Sequence, residues 1–454
     1  MLWFEPIFEK ILKHEFDGSM NFDSAARLHL PQAPERPCQL YIHVPFCETL
    51  CPFCSFHRVQ HREHKAKPYF DALRAELRFY HDHGFRFSDI YVGGGTPTVA
   101  PDELVRTLEL ARSLWPIRAI SVETNPDHLR EDVYAALQSV GVHRLSVGVQ
   151  SFDDSLLRQM ERYDRYGSGA VIAERLADAV GRFPTINVDM IFNLPNQTLD
   201  MLDRDLRMLL DLRVDQASFY PLMTAPIARR KMEKTLGHDQ PERRQVFYQH
   251  IVDAMAADYE PSSAWCFTRK AGASAAGNPH MIDEFIIDHT DYVGVGSGAF
   301  SYVNGWMYST TFSINQYREL IAHGRSGITQ SKRLTLRERM RYDYLVQLFG
   351  LTLSRAEMRQ KYGRAFWLML GPELLSMRVL GATRYDRATD SIVLTDKGMY
   401  CWVLMMSAFF NAVNAFRDQM RRHIRAELEL WQKPEAAPPA QAVVPVAEIQ
   451  RAVH

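Results

Sequence analysis

An α/β fold is the class this sequence predicts: a partial (β/α)6 barrel followed by a smaller, mainly helical domain resembling a winged helix. Three observations predict it. Between residues 38 and 221 a short β-branched or apolar run alternates six times with a stretch of helical periodicity. Each notable polar cluster falls at or just after the end of one of those runs, where the strands of a barrel share one mouth. From near Thr335 the pattern changes to helices followed by a hairpin.

The strand candidates, in order, are QLYIHV (39–44), DIYVGG (89–94), AISVET (119–124), RLSVGV (144–149), INVDMIF (186–192) and QASFYP (216–221). Between them lie the helical segments YFDALRAELRFYHDH, DELVRTLELARSL, REDVYAALQSV, VIAERLADAVGRF and LDMLDRDLRMLLDL. Alternating βα units imply a parallel sheet with helical crossovers, either doubly wound or curled into a barrel. The shared location of the polar clusters favours the barrel. DYVGVGSGAFSYVNG (291–305) reads as a last strand and turn. The second domain reads as helix (RERMRYDYLVQLF), helix (RAEMRQKYG), hairpin (ATRYDRATDSIVLT) and a long helix through Trp431. The domain plan is therefore an N-terminal extension (1–37), the barrel and its extension (38–305), a helical domain (335–432) and an Ala/Pro-rich disordered tail (433–454).

Composition narrows the function. At 454 residues the chain is long enough for a sizeable core, and 46% apolar with 24% charged residues excludes collagen-like, coiled-coil and wholly disordered classes. With Lys+Arg 53 against Asp+Glu 54 the net charge is −1, so no long-range field favours nucleic acid or an anionic membrane. No run of about 18 apolar residues predicts membrane insertion, and the acidic start lacks a signal-peptide pattern, so a cytoplasmic location is expected.

Three of the six cysteines, Cys47, Cys51 and Cys54, fall within YIHVPFCETLCPFCSF at C-x3-C-x2-C spacing, on the loop after the first strand. A loop lets three thiolates converge on one centre. Four cysteines would saturate a cubane iron–sulfur cluster, whereas three leave one iron free to coordinate a substrate's amine and carboxylate. A zinc site completed by His43 or His57, or three simply buried thiols, are the other readings.

Several motifs accompany the triad in order: GGGTPT (93–98), SVETNP, RLSVGVQSF, MERYDR, INVDMIF and GSGAFS. Together they resemble the radical S-adenosylmethionine (SAM) enzymes, in the branch related to the oxygen-independent coproporphyrinogen III dehydrogenase, over roughly Cys38 to Ser301. The resemblance implies a radical SAM barrel, with a 4Fe-4S cluster on Cys47, Cys51 and Cys54 and two SAM molecules. It implies Tyr41, Gly94 and Glu123 on the first SAM. Phe53, Gly95, Thr96, Gln150, Arg162 and Asp189 fall on the second, with Phe53, Arg162 and Asp189 as catalytic positions. Phe300 and Met223 fall on two further contact positions.

Within this branch the sequence departs from two relatives. The dehydrogenase pattern has another cysteine two positions after the third, where Phe56 stands here, which argues against oxidative decarboxylation of propionates. The heme-chaperone relatives carry an H-N-x-x-Y-W element, which NPHMIDEFI does not supply. The C-terminal LTDKGMYCWVLMMSAFFNAVNAFRDQM (394–420) is similar to the ending of the anaerobic heme-degrading methyltransferase (anaerobilin synthase) group. That resemblance implies opening of the heme ring to a linear tetrapyrrole, with one SAM as radical source and the other as methyl donor. Oxidative decarboxylation of coproporphyrinogen III and non-catalytic heme carriage are the alternatives.

Heme, or a related porphyrin, calls for aromatic and Met walls and for basic groups at its propionates. Phe219, Tyr220, Met223, Arg229, Arg230 and Lys231 are candidates. RVQHREHK (58–65) is either a solvated face or a docking site for an acidic, flavodoxin-type electron donor. Cys266 is either a thiolate ligand to heme iron or a buried thiol.

Overall fold

The computed structural model describes residues 31–223, 226–270 and 291–425, together with 10–12, 22 and 429. NPHMIDEFI, most of 1–37 and the expected tail lie outside the described residues.

All six expected strands form: β1 (Cys38–Val44), β2 (Phe87–Gly94), β3 (Ala119–Thr124), β4 (Arg144–Gln150), β5 (Thr185–Phe192) and β6 (Gln216–Pro221). They lie side by side in chain order and run parallel. A doubly wound sheet would reverse its direction of growth after the first strands. Here every crossover steps the same way, which makes the sheet singly wound and settles the barrel-type choice.

Both faces of such a sheet are covered, so its strands are buried along nearly their whole length, with polar residues such as Ser121, Arg144, Ser146, Asn187 and Ser218 inside as well. In β1, Leu40, Ile42 and Val44 have no exposed surface, and Cys38 and Gln39 are buried as well. The crossover helix Leu199–Leu212 shows how one cover is made. Thr198 caps it by accepting from the Met201 N–H at 3.2 Å, and Leu202, Leu206 and Leu209 form its buried stripe. Each buried leucine contributes on the order of 2 kcal/mol. Arg213, left-handed at φ 53°, ends the helix.

The segment 291–305 departs from expectation. It forms two strands, Tyr292–Val295 and Phe300–Val303, and the sheet continues through Trp306–Thr310 to Ile328–Arg333. The first pairs parallel with β1, and the others follow antiparallel. Beyond β6 come Cys266–Arg269 and Tyr259–Pro261, giving twelve strands with antiparallel edges. The edge strands are three to six residues long, too short for their periodicity to stand out.

The C-terminal part runs helix Leu336–Phe349, strand Thr352–Ser354, helices Arg355–Tyr362, Ala365–Met369 and Gly371–Val379, then hairpin Thr383–Asp386 and Ser391–Leu394. The short strand pairs with the hairpin to complete a three-stranded, winged-helix sheet. Helix Asp396–His423 follows. It is long and apolar enough to cross a membrane by composition, yet 78% of that window is buried within the protein. Trp402 has no exposed surface and donates its indole N–H to the Leu345 carbonyl at 2.9 Å. Toward its C-terminal end the same helix reaches the mouth of the barrel.

Candidate functional site

The cysteine loop leaves β1 and is tied at its base. Val59 N–H donates to the Pro45 carbonyl at 2.7 Å, and His61 N–H to the Cys47 carbonyl at 2.8 Å. Inside the loop the Arg58 guanidinium donates to the carbonyls of Cys51 and Cys54. Arg58 is thus committed to the loop's interior and is not a free docking charge, whereas Glu63 and His64 of the same run are exposed.

Strand ends on two sides reach the sulfurs. Thr96, after β2, donates its hydroxyl to Cys47 Sγ at 3.6 Å, and Asn125, after β3, donates to Thr96 Oγ1 at 2.7 Å. Arg162, in the connection after β4, donates from Nη1 to Cys51 Sγ at 3.5 Å and from Nη2 to Asn125 Oδ1 at 3.2 Å and the Gly148 carbonyl. Cys47, Thr96, Asn125, Arg162 and Cys51 therefore form one connected chain. Its guanidinium lies over the Tyr166 ring, 4.3 Å from the centroid. Sequence reasoning missed Asn125, although it stands two residues after Glu123 at the same strand end.

Each glycine of GGGTPT is demanded by protein atoms close by. A Cβ on Gly93 would lie 2.5 Å from Glu123 Oε1, one on Gly94 2.5 Å from the His43 ring, and one on Gly95 2.6 Å from the Phe46 carbonyl oxygen. Gly94, at φ 112°, also donates its N–H to Glu123 Oε2 at 3.0 Å, and Tyr91 donates to Oε1 at 3.0 Å. The Glu123 carboxylate is thereby fixed at the mouth.

Tyr41 is tied into a buried relay. A carbonyl only accepts, so His43 Nε2 carries the hydrogen bonded to the His57 carbonyl at 2.9 Å, and His43 Nδ1 accepts from the Tyr41 hydroxyl at 2.9 Å. His57 Nε2 meets Ser297 Oγ at 3.2 Å. Burial lowers the His43 pKa to about 4 and holds His57 well below its ordinary value. With both nitrogens engaged, His43 has no lone pair for zinc.

On the far side, Gln150 ends β4 in the left-handed region at φ 77°, beside a register shift after Gly148. A non-glycine residue held there marks stored backbone strain, which concentrates at functional sites. Asp189, on β5, accepts from the Ser146 hydroxyl at 2.9 Å and from the Asn187 amide at 2.8 Å. Phe53 is 9% exposed on the loop itself. Phe300 sits in an aromatic group with Phe22, Phe312 and Phe416 at centroid distances of 5.9 to 6.4 Å, and Phe312 in turn packs edge-on against His57 at 5.3 Å.

The heme-wall candidates divide. Phe219 has no exposed surface and packs edge-on against Phe267, so it is core, whereas Tyr220 is half-buried against Trp265 and Met223 is half-buried. Arg229 and Arg230 are exposed, and Lys231 pairs with Glu161 at 3.0 Å. Cys266 has no exposed surface and sits opposite Ser218 of β6, a position for a buried thiol rather than an accessible ligand.

The donor set fits an iron–sulfur cluster better than a single metal ion. Among the described residues only Glu48, Asp127 and His128 bring three metal-type donors within 4.8 Å of one another, and the three cysteine sulfurs do not. A zinc ion with Zn–S bonds of about 2.3 Å would hold its sulfurs about 3.8 Å apart, whereas a cubane spreads them further. The Glu48–Asp127 pair is already answered by the Arg165 guanidinium. Burial, and next the neighbouring Cys54, push the Cys47 thiol up to about 12. A Cys47 thiolate in this buried setting is favoured by a bound metal centre such as an iron–sulfur cluster.

Residues 41–209 match the family model of the radical SAM superfamily. A heme chaperone, HemW of Bacillus subtilis, is 30% identical over 341 residues, spanning 72% of this chain and 87% of that protein. The chain belongs to the radical SAM superfamily. Membership implies a 4Fe-4S cluster and SAM. This radical SAM protein also matches the structure of coproporphyrinogen III oxidase (HemN) from Escherichia coli, with a TM-score of 0.69, 25% identity, and 83% and 91% of the two chains covered. An anaerobilin synthase of Escherichia coli O157:H7 is 24% identical over 306 residues, 64% of this chain and 67% of that one.

Proposed function

We propose that this radical SAM protein is a methyltransferase that opens the heme ring anaerobically, releasing iron and a linear tetrapyrrole, with two SAM molecules as radical source and methyl donor. The reading is carried by two sets of polar groups at neighbouring strand ends, joined to the cysteine loop through Thr96, Asn125 and Arg162, with Gly95 and Thr96 of the second set standing after β2 beside Gly94. Tyr41, Gly94 and Glu123 stand on the β1–β3 side. Gln150, Arg162 and Asp189 stand on the β4–β5 side. The likeness to anaerobilin synthase supports the choice of reaction, as does the position of the FFNAVNAFRD run. Its Arg417 donates to the Ser55 carbonyl at 2.9 Å, and its Phe410 packs on Trp265 at 5.9 Å.

When bound, the cluster supplies the electron that splits one SAM. Glu123, pinned by Tyr91 and Gly94, accepts hydroxyl donors of a ribose without further reorganisation. Asp189, pinned by Ser146 and Asn187, does the same for a second nucleoside. Arg162 holds β4's end against Cys51, and so fixes the spacing between the two sets. Such fixed spacing lets a short-lived radical meet its partner before water does.

Anaerobic reconstitution should load about four irons through Cys47, Cys51 and Cys54, and not in the triple Cys→Ala variant. Incubation with SAM, a low-potential reductant and either heme or coproporphyrinogen III, read by mass analysis, tests the reaction. Heme should yield 5′-deoxyadenosine and S-adenosylhomocysteine together, a tetrapyrrole heavier by one carbon, and free iron. Asp189→Ala should lose S-adenosylhomocysteine while keeping its iron. Heme consumed without S-adenosylhomocysteine, or coproporphyrinogen III decarboxylated faster, would sink the reading. The 30% identity to a heme chaperone favours a second reading, in which heme is bound and no SAM is consumed.

A further inference from the structure

Three guanidiniums surround the cysteine loop with no carboxylate at ion-pair distance, the buried Asp418 acting on Arg417 only from further away. Arg162 and Arg417 are 3% and 6% exposed, and Arg58 has its Nε buried within the loop. Their contacts are carbonyls, Asn125 or Asn414, and Cys51 Sγ. None has a carboxylate within 4.0 Å among the described residues, and the Nε of each lacks a hydrogen-bond partner there. Buried charges normally come paired, because an unanswered one is strongly disfavoured in a low dielectric. The counter-charge that fits is the one the cysteines would hold. A 4Fe-4S cluster on three thiolates is net negative, and reduction adds one further negative charge.

Arg58 and Arg162 belong to the barrel. Arg417 comes from helix Asp396–His423, 362 residues after Ser55, whose carbonyl it binds. Asn414, one turn back, fixes the guanidinium by accepting from Nη1 at 2.7 Å. Phe56 of the same loop lies against it, 5.4 Å from ring centroid to guanidinium carbon. Burial lowers the Arg417 pKa to about 10, which leaves it charged at neutral pH. A fixed positive charge beside a cluster stabilises the reduced form more than the oxidised form, and so raises its reduction potential.

We propose that Arg417 is a positioning residue: from the C-terminal helix it holds the loop carrying Cys51 and Cys54, and its charge keeps the cluster's reduction potential high enough for the physiological reductant. The proposal rests on the cluster-binding role of the three cysteines. It makes reducibility of the cluster depend on docking of an element outside the barrel.

The test is an EPR-monitored potentiometric titration of the reconstituted full chain with dithionite, alongside iron content and thermal melting. Arg417→Gln should keep its iron and shift the midpoint to more negative potential, while Arg417→Lys should stay near wild type. Asn414→Asp, which answers the guanidinium with a carboxylate, should shift the midpoint the same way as Arg417→Gln. An unshifted midpoint in iron-loaded Arg417→Gln overturns the proposal. Should that variant fold without iron, Asn414→Asp decides by the same reading. A wild-type chain that takes up no cluster would instead defeat the cysteine assignment, so the two failures are distinguishable.

Discussion

Gly93, Gly94 and Gly95 are held glycine by three different neighbours, and the consequences of substitution differ accordingly. At Gly94 a side chain would meet a His43 ring that cannot retreat, since both its nitrogens are bonded, and φ is 112°. At Gly93 the obstacle is the Glu123 carboxylate, 2.5 Å from the would-be Cβ. Gly93→Ala should therefore push Glu123 out of place without touching the cysteines. Equilibrium binding of SAM to the reconstituted protein is expected to weaken by about tenfold or more, roughly 1.4 kcal/mol, at unchanged iron content. Undiminished affinity would remove Glu123 from the SAM site. The same neighbour analysis separates Arg162 from Asp189. Because Arg162 donates to Cys51 Sγ, its removal disturbs the cysteine loop as well as the second polar set, and Asp189 is the cleaner probe.

The end of β4 illustrates how one element disciplines another. Helix Leu199–Leu212 presents Asp205, 1% exposed, to the turn after Gln150. Its carboxylate accepts from the Ser151 hydroxyl at 2.8 Å and the Phe152 N–H at 2.8 Å. Those two bonds hold the chain just past the left-handed Gln150, and burial raises the Asp205 pKa to about 7. Asp205→Ala should cost about 2–3 kcal/mol by leaving buried donors unpaired. It should also let Gln150 relax. In the enzyme assay S-adenosylhomocysteine formation should fall more than uncoupled 5′-deoxyadenosine formation, because only the β4–β5 set is disturbed. Equal loss of both products would mean that Asp205 is purely structural.

Buried titratable groups make the stability of the whole molecule depend on pH in two opposing ways. His43 titrates near 4 when folded but near 6.5 when unfolded, so between those values the unfolded chain binds the extra proton and stability falls as pH drops. Asp205 and Glu76, raised by burial, act in the other direction, since the folded chain binds their protons first. The difference between wild type and His43→Asn isolates the histidine. That difference should shrink by about 2 kcal/mol between pH 7 and pH 5, read from denaturant unfolding at each pH. A constant difference would show that His43 titrates normally.

The six βα units and the cysteine triad could be read from the chain because they are local. Periods of two and of three to four residues, and a spacing of eight positions, depend on neighbours in sequence and survive any packing. The strands added after the one expected in 291–305 could not, being too short for a period to register and defined by pairing across the sheet. The same holds for the surroundings of the cysteines. Arg162 meets Cys51 across 111 positions, and Arg417 meets Ser55 across 362. Sequence marked Arg58 as a surface charge and the FFNAVNAFRD run as a family signature. Burial turned both into supports for one loop, because a guanidinium's role is set by the dielectric and the partners around it, and these exist only once distant segments have packed together.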